Sequence, residues 1–172
     1  MRTPAQDTEG LVVGTDGSSS SLAALRWSAA MGRRLHTKVD VVHAWTPTAR
    51  HCVHYALIAN RPTAGEERRR AGRLLDASVA WLLEHEPEAD IRSVLAEGPA
   101  VPVLLRCVER AELLVLGRGP RREPGLSALG PVARECARRA RCPVVTVPCV
   151  VAAPHPAEDG GAHRDIPTTT PT

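Results

Sequence analysis

The sequence alternates between short apolar runs and longer segments with apolar residues at helical spacing, and this alternation constrains the fold most strongly. Neighbouring parallel strands need a long crossover connection, which a helix supplies. Strict alternation therefore predicts a parallel sheet with helices on both of its faces and right-handed crossovers. We expect a three-layer α/β/α domain with four helices and five strands. The predicted strands are 11–14, 39–45, 91–95, 113–116 and 143–148.

The length and composition fit one domain with short extensions. The chain has 172 residues, of which 43% are hydrophobic and 24% are charged, an ordinary globular balance. Aromatic residues make up only 2%, so the core has to be built from Leu, Val and Ala. We predict a flexible lead over residues 1–9, the domain over residues 10–148, and a disordered tail rich in Pro and Thr over residues 149–172.

Composition and charge also exclude several classes of protein. The aromatic residues are too few for a base-stacking platform, and a net charge of +3 does not indicate DNA binding, so no nucleic-acid partner is expected. The longest near-apolar stretch, 143–154, is too short to span a membrane. The first ten residues are polar and do not resemble a signal peptide. The five cysteines form no Cys-x2-Cys pair, which indicates reduced thiols and a cytoplasmic location.

Known catalytic and metal-binding motifs are missing from the sequence. There is no phosphate-binding P-loop, no Gly-x-Ser-x-Gly elbow and no His-Glu-x2-His pair. The group His51-Cys52-x-His54 offers too few ligands for a metal site. It lies in a long connection, 46–63, that has no clear period; connections of this length are usually mobile or functional. We expect neither a metal nor an evident catalytic residue.

Two strands end in unusual segments, Thr15-Asp16-Gly17-Ser18 after the first strand and 117–131 after the fourth. In open parallel sheets, ligands bind beyond the carboxyl ends of the strands, where the strand order reverses. If these two strands are neighbours at that point, both segments face one crevice. His43 ends the second strand near the same place, where a buried histidine with a satisfied hydrogen bond is the more common situation.

Several separated segments then form a recognisable pattern: 12–18, 21–27, 41–45, 97–100, 113–117 and 142–147. Together they resemble the universal stress protein family, and the resemblance extends over about residues 10–148. It implies a sheet order of 3-2-1-4-5. It also implies a homodimer formed through the last strand, here through Val144, Val145 and Val147.

The resemblance also implies a nucleotide site. Nucleotide-binding members carry Gly-x2-Gly-x9-Gly-Ser/Thr after the fourth strand, and the matching positions here are Gly117, Pro120, Gly130 and Pro131. The spacing is intact, but two of the four residues differ. The expected ligand is ATP. The expected binding residues are Thr15, Asp16, Ala44, Leu116, Gly117, Arg118, Gly119, Arg121 and Gly130.

The changed residues weaken the expected phosphate site. A phosphate is held by backbone N–H groups and a helix N-terminus, and Pro120, Pro124 and Pro131 each lack an N–H group. Losing two or three contacts of about 1.5–3 kcal/mol each lowers affinity by at least about two orders of magnitude. Residues 110–141 carry eight arginines against three glutamates, and this positive charge favours an anion.

Two functions therefore remain open at this stage. The first is a non-catalytic regulatory stress-response protein that binds an adenine nucleotide weakly. The second is a degenerate member of the family that binds no nucleotide and acts as a dimeric protein-interaction module. Slow ATP hydrolysis is a third, weaker alternative; because no residue is an evident general base for water, we do not expect an enzyme. Asp16 has two possible roles, as a nucleotide ligand or as the N-cap of the first helix.

Overall fold

The computed structural model describes residues 9–48, 62–119 and 129–149, and these residues alternate strictly between strands and helices. Most of the expected lead, of the expected tail and of the 46–63 connection lies outside the described residues. The strands are β1 (Leu11–Gly14), β2 (Val39–Trp45), β3 (Ile91–Glu97), β4 (Leu113–Arg118) and β5 (Val144–Pro148). The helices are α1 (Ser19–Leu35), α2 (Ala64–His85), α3 (Ala100–Cys107) and α4 (Pro131–Arg139).

The strands form one parallel sheet in the order β3-β2-β1-β4-β5, which confirms the expected α/β fold and strand order. β1 lies at the centre, where Val13 is paired with Val41 of β2 and with Val115 of β4. The chain moves outward from β1 to β3 and then returns to the other side of β1. The strand order therefore reverses between β1 and β4, and a crevice opens at their carboxyl ends.

Two hydrophobic clusters fill the layers between the sheet and the helices. Because side chains alternate along a strand, Val13 faces α1 and α2, whereas Val12 faces α3 and α4. Leu25 and Leu82 are fully buried in the first cluster, and Leu114 is fully buried in the second. The core consists mainly of Val, Leu and Ala, as the low aromatic content predicts.

Some boundaries differ from those predicted. β4 continues two residues further, because Gly117 pairs with Val147 and Arg118 with Pro148 of β5. β3 also continues two residues further, to Glu97, because Ala44 of β2 pairs with Ala96 and Trp45 with Glu97. α4 begins at Pro131, with Gly130 as its extended N-cap. Strand pairing and cap geometry depend on neighbouring segments, so the hydrophobic pattern of one segment does not reveal them.

α1 makes a close backbone contact with β4 at Gly117. A Cβ atom on Gly117 would lie 2.4 Å from the carbonyl carbon and oxygen of Ser20 and 2.7 Å from the nitrogen of Ser21. These atoms are backbone, so they cannot move aside as a flexible side chain does. Only glycine therefore allows the first turn of α1 to lie directly on the end of β4. At Gly119, by contrast, a Cβ atom would meet nothing within 4 Å.

We predict that Gly117→Ala destabilises the fold, because the added methyl group forces α1 away from β4. Overpacking of this kind lowers the free energy of unfolding by about 1–3 kcal/mol, measurable by urea denaturation. Gly119→Ala is the matched control, and we expect it to stay within about 0.5 kcal/mol of the unmodified protein. Equal stability of the two variants would show that the contact has no energetic importance.

Candidate functional site

A cavity of about 380 Å³ lies at the carboxyl ends of β1 and β4, where the strand order reverses. Its size falls within the range of small-molecule sites, which is about 300–1,000 Å³. The first turns of three helices border it, at Ser18 for α1, Ala100 for α3 and Pro131 for α4. The positive ends of three helix dipoles therefore meet at one cavity, an arrangement that favours an anionic ligand.

The structure brings together seven of the nine residues predicted for the site. Arg118 is half-buried at the end of β4, next to Pro148, and does not line the cavity. Arg121 lies outside the described residues. The predicted residues that line the cavity are Thr15, Asp16, Ala44, Leu116, Gly117, Gly119 and Gly130.

Asp16 supports the cap of α1 but is not the cap itself. The N-cap is Ser18, whose Oγ accepts a hydrogen bond from the Ser21 N–H at 3.2 Å. Asp16 Oδ1 accepts two hydrogen bonds from Ser18, one from the backbone N–H at 3.0 Å and one from Oγ–H at 2.6 Å. Both bonds end on Oδ1, so Oδ2 takes no part in them. The expectation that Asp16 could be the N-cap of the first helix is therefore wrong, because Ser18 occupies that position.

The carboxyl group of Asp16 is ionised at neutral pH. Partial burial raises the pKa of Asp16, but hydrogen bonds from Ser18 and Ser21 outweigh that effect and hold the pKa below its ordinary value of 3.8. An ionised carboxylate accepts hydrogen bonds and donates none. At the mouth of the cavity it therefore suits the hydroxyl groups of a sugar and repels a phosphate.

The N-terminus of α4 supplies the donors at another part of the cavity. Its N-cap, Gly130, makes no side-chain hydrogen bond, and Pro131 has no N–H group. The first intrahelical bond runs from the Arg134 N–H to the Gly130 carbonyl at 3.0 Å. The N–H groups of Val132 and Ala133, which line the cavity, therefore have no partner within the helix. They are the groups that this helix offers to an anion.

Several lining residues were not predicted from the sequence. Ser20 and Ser21 extend the hydroxyl cluster of the α1 turn, with Ser20 Oγ 3.0 Å from Ser18 Oγ and Ser21 Oγ 3.2 Å from Thr15 Oγ1. The signal was present, because the run of serines from 18 to 21 supplied several possible N-caps. Only the packing of α1 on β4 shows that the remaining hydroxyl groups face the cavity.

His43 fixes the backbone beside the cavity. Its Nδ1 lies 2.8 Å from the Thr15 carbonyl oxygen, which can only accept, so Nδ1 carries the proton. The half-buried ring thus has the satisfied hydrogen bond that the sequence suggested. This bond ties the end of β2 to the segment that follows β1, which holds Asp16.

The described residues contain no group of three or more His, Cys, Asp and Glu side chains that could hold a metal ion. The His51-Cys52-x-His54 group lies outside them. Burial raises the pKa of the thiols of Cys107, Cys136 and Cys142, which are free and stay protonated at neutral pH. None of the helices in the described ranges is long and apolar enough to cross a membrane.

Comparison with protein families gives a match to the universal stress protein family over residues 9–148. A universal stress protein of Mycobacterium tuberculosis is 31% identical over 148 residues, which cover 80% of this chain and 47% of that protein. The chain thus spans about half the length of the curated relatives it matches. These matches confirm the resemblance inferred from the separated sequence segments.

Solved structures show the same fold. A universal stress protein in complex with cAMP has 23% sequence identity and a TM-score of 0.60, covering 82% of this chain and 97% of that chain. A universal stress protein from Archaeoglobus fulgidus in complex with dAMP has 23% identity and a TM-score of 0.58, covering 81% of this chain and 98% of that chain. At this level of identity the similarity establishes the fold alone.

We predict a pH-dependent contribution of Asp16 to stability. Because its pKa is lower in the folded state than in the unfolded chain, the ionised carboxylate stabilises the fold above the unfolded value of about 3.8. The stability difference between the unmodified protein and Asp16→Asn should be constant from about pH 7 to pH 5 and shrink as the pH falls through the folded pKa. Urea denaturation at several pH values measures it. A difference that grows on acidification would contradict the assignment.

Proposed function

The chain belongs to the universal stress protein family, and from this premise we propose that it is a non-catalytic regulatory protein that binds an adenine nucleotide in the cavity between β1 and β4. One observation carries the proposal: seven residues predicted from two distant segments and from β2 line a single cavity. Two proteins of similar fold are described in complex with cAMP and with dAMP, which supports an adenine nucleotide as the ligand.

The cavity offers different chemistry to the different parts of a nucleotide. Ala44 and Leu116 provide apolar walls for the base. The Asp16 carboxylate suits the ribose hydroxyl groups, because it is ionised and can only accept hydrogen bonds. The N–H groups of Val132 and Ala133, which have no partner within the helix, suit a phosphate at the positive end of α4. This arrangement gives the ligand one orientation, with the phosphate directed toward α4.

The start of α4 supplies two N–H donors for a phosphate group. Pro131 removes an N–H group and the hydroxyl that the family motif carries at this position, so α4 contributes only the two N–H groups of its first turn. The further phosphates of ATP would need the basic segment after β4, which includes Arg121 and Arg122. We therefore propose weak binding, with ATP as a ligand whose outer phosphates depend on these arginines.

We predict that ATP and AMP bind saturably in calorimetric titrations and that Asp16→Ala abolishes the signal. The loss is expected because the variant removes the acceptor for the ribose hydroxyl groups. Asp76→Ala is the matched control, since Asp76 is an exposed aspartate on α2 that does not line the cavity. A thermal melt verifies that each variant is folded. Absence of binding by the unmodified protein at about 100 μM, a concentration that detects affinities of about 5–6 kcal/mol, would overturn the nucleotide proposal.

We also predict that replacing Pro131 strengthens phosphate binding in two steps. Pro131→Ala restores one N–H donor, and Pro131→Ser restores that donor and a hydroxyl group. A hydrogen bond to a charged group contributes about 1.5–3 kcal/mol, so each step should tighten ATP binding by roughly tenfold or more. Titration of the three proteins measures the series. Identical affinities would show that the phosphate does not reach the start of α4.

The second candidate function, a dimeric interaction module, draws on β5. The Leu114 N–H donates to the Pro143 carbonyl at 3.0 Å, and the Cys149 N–H donates to the Arg118 carbonyl at 3.1 Å. In a parallel pair, this pattern means that the backbone N–H and C=O groups of every second residue of β5 point toward β4. The N–H groups of Val144 and Thr146 therefore point away from the sheet. Among the described residues, β5 is therefore an edge of the sheet, and such an edge favours pairing with a second copy through the strand that carries Val144, Val145 and Val147.

We predict that Thr146→Pro yields monomers, because it removes an outward N–H group and leaves the bonds between β4 and β5 intact. Thr146→Val keeps the N–H group and should remain dimeric. Gel filtration with light scattering measures the mass of both variants, and circular dichroism checks their folding. A dimeric Thr146→Pro protein would exclude pairing through this edge.

A further inference from the structure

A second concave surface, of about 440 Å³, lies at the far end of α4. It runs along the outer side of α3 and reaches the turn that follows α4. Apolar and basic side chains share its lining, with one acidic residue among them. We call this surface the arginine groove; it is lined by Pro102, Leu105, Arg106, Val108, Glu109, Arg139 and Arg141.

The arginine groove is separate from the cavity at the carboxyl ends of β1 and β4, which we call the nucleotide cavity after its proposed ligand. Pro131 borders that cavity, and Arg139 follows eight residues later at the other end of α4, about 12 Å away along a helix axis. On the sequence alone, the arginine excess of residues 110–141 favours an anion at the phosphate site. The structure places Arg139 and Arg141 at the opposite end of the helix, so their charge has no part in the nucleotide site.

The charge of the arginine groove is poorly neutralised. Arg139 Nη1 lies 3.4 Å from Glu135, but the same carboxylate also pairs with Arg138 at 3.3 Å. Within the described part of the chain, neither Arg106 nor Arg141 forms an ion pair with a carboxylate. Glu109 contributes one negative charge against the three guanidinium groups of the lining. The groove therefore keeps a net positive charge.

Helix stabilisation does not explain all of these arginines. A cation in the last turn of a helix interacts favourably with the helix dipole, and this accounts for Arg106 in α3 and Arg139 in α4. Arg141, however, lies beyond the end of α4, because Ala140 is already extended with a ψ of 145°. The groove also has an apolar floor, where Val108 is buried and Leu105 is half-buried.

We propose that the arginine groove binds phosphate monoesters that carry an apolar group. A phosphate monoester has close to two negative charges at neutral pH and several acceptor oxygens, and guanidinium groups pair with it in a bidentate manner. The two positive charges of Arg106 and Arg141 therefore match the charge of a phosphate monoester better than they match the single negative charge of a carboxylate. Leu105 and Val108 provide contact for the organic substituent, which inorganic phosphate lacks.

Phenyl phosphate is the probe, and amide chemical shifts of the isotope-labelled full chain locate its site. We expect saturable shifts at Leu105, Arg106, Arg139 and Arg141, and at least about threefold weaker binding of inorganic phosphate, which gains nothing from the apolar floor. The double variant Arg106→Gln/Arg141→Gln should bind phenyl phosphate at least about tenfold more weakly. The control variant Arg134→Gln/Arg138→Gln also removes two positive charges, but from residues of α4 that do not line the groove. It should change the affinity for phenyl phosphate by less than about twofold.

Three outcomes would overturn the proposal. The first is the absence of saturable shifts at the groove residues, or shifts confined to residues 15–21 and 130–133 at the nucleotide cavity. The second is an equal loss of affinity in the two double variants, which would indicate attraction by net charge alone. The third is equal affinity for phenyl phosphate and inorganic phosphate, which would show that the apolar floor takes no part.

Discussion

The direct backbone contact between α1 and β4 at Gly117 holds the rest of the site in place. It brings the first turn of α1 onto the end of the central strand pair, with 2.4 Å left between Ser20 and the position of a Cβ atom. The Asp16–Ser21 segment is thereby fixed beside Leu116 and Gly117, and the reversal of strand order becomes a cavity with one wall from α1. A side chain at this position would separate the two elements that define the site.

Two of the three helix starts that border the cavity, those of α1 and α4, differ in how their N–H groups are satisfied. At α1, Ser18 caps the Ser21 N–H, and Asp16 holds Ser18 in turn. At α4, Gly130 provides no side-chain cap and Pro131 provides no donor, so the remaining N–H groups of the first turn have no partner within the helix. One helix start is capped by its own serine, and under the proposed function the other donates to the ligand. This asymmetry sets the expected direction of a nucleotide in the cavity.

α4 has contrasting ends, with few donors at its start and a surplus of positive charge near its end. The start of α4, at Pro131, borders the nucleotide cavity, while Arg139 and Arg141 line the arginine groove. A count of charge along the sequence cannot separate these ends, because they are only about 12 Å apart and belong to one arginine-rich segment. The two proposed anion sites therefore respond to different substitutions, at Pro131 for one and at Arg106 and Arg141 for the other.

The sequence by itself determined the alternation of strands and helices and the side-chain types at the carboxyl ends of β1 and β4, because both follow from local periodicity and turn chemistry. Its resemblance to a family supplied the strand order that the structure confirms. Tertiary structure alone decided that β4 extends through Arg118 and that Arg139 and Arg141 lie away from the cavity at the carboxyl ends of β1 and β4. Each of these depends on which segment packs against which, and local sequence does not encode that contact.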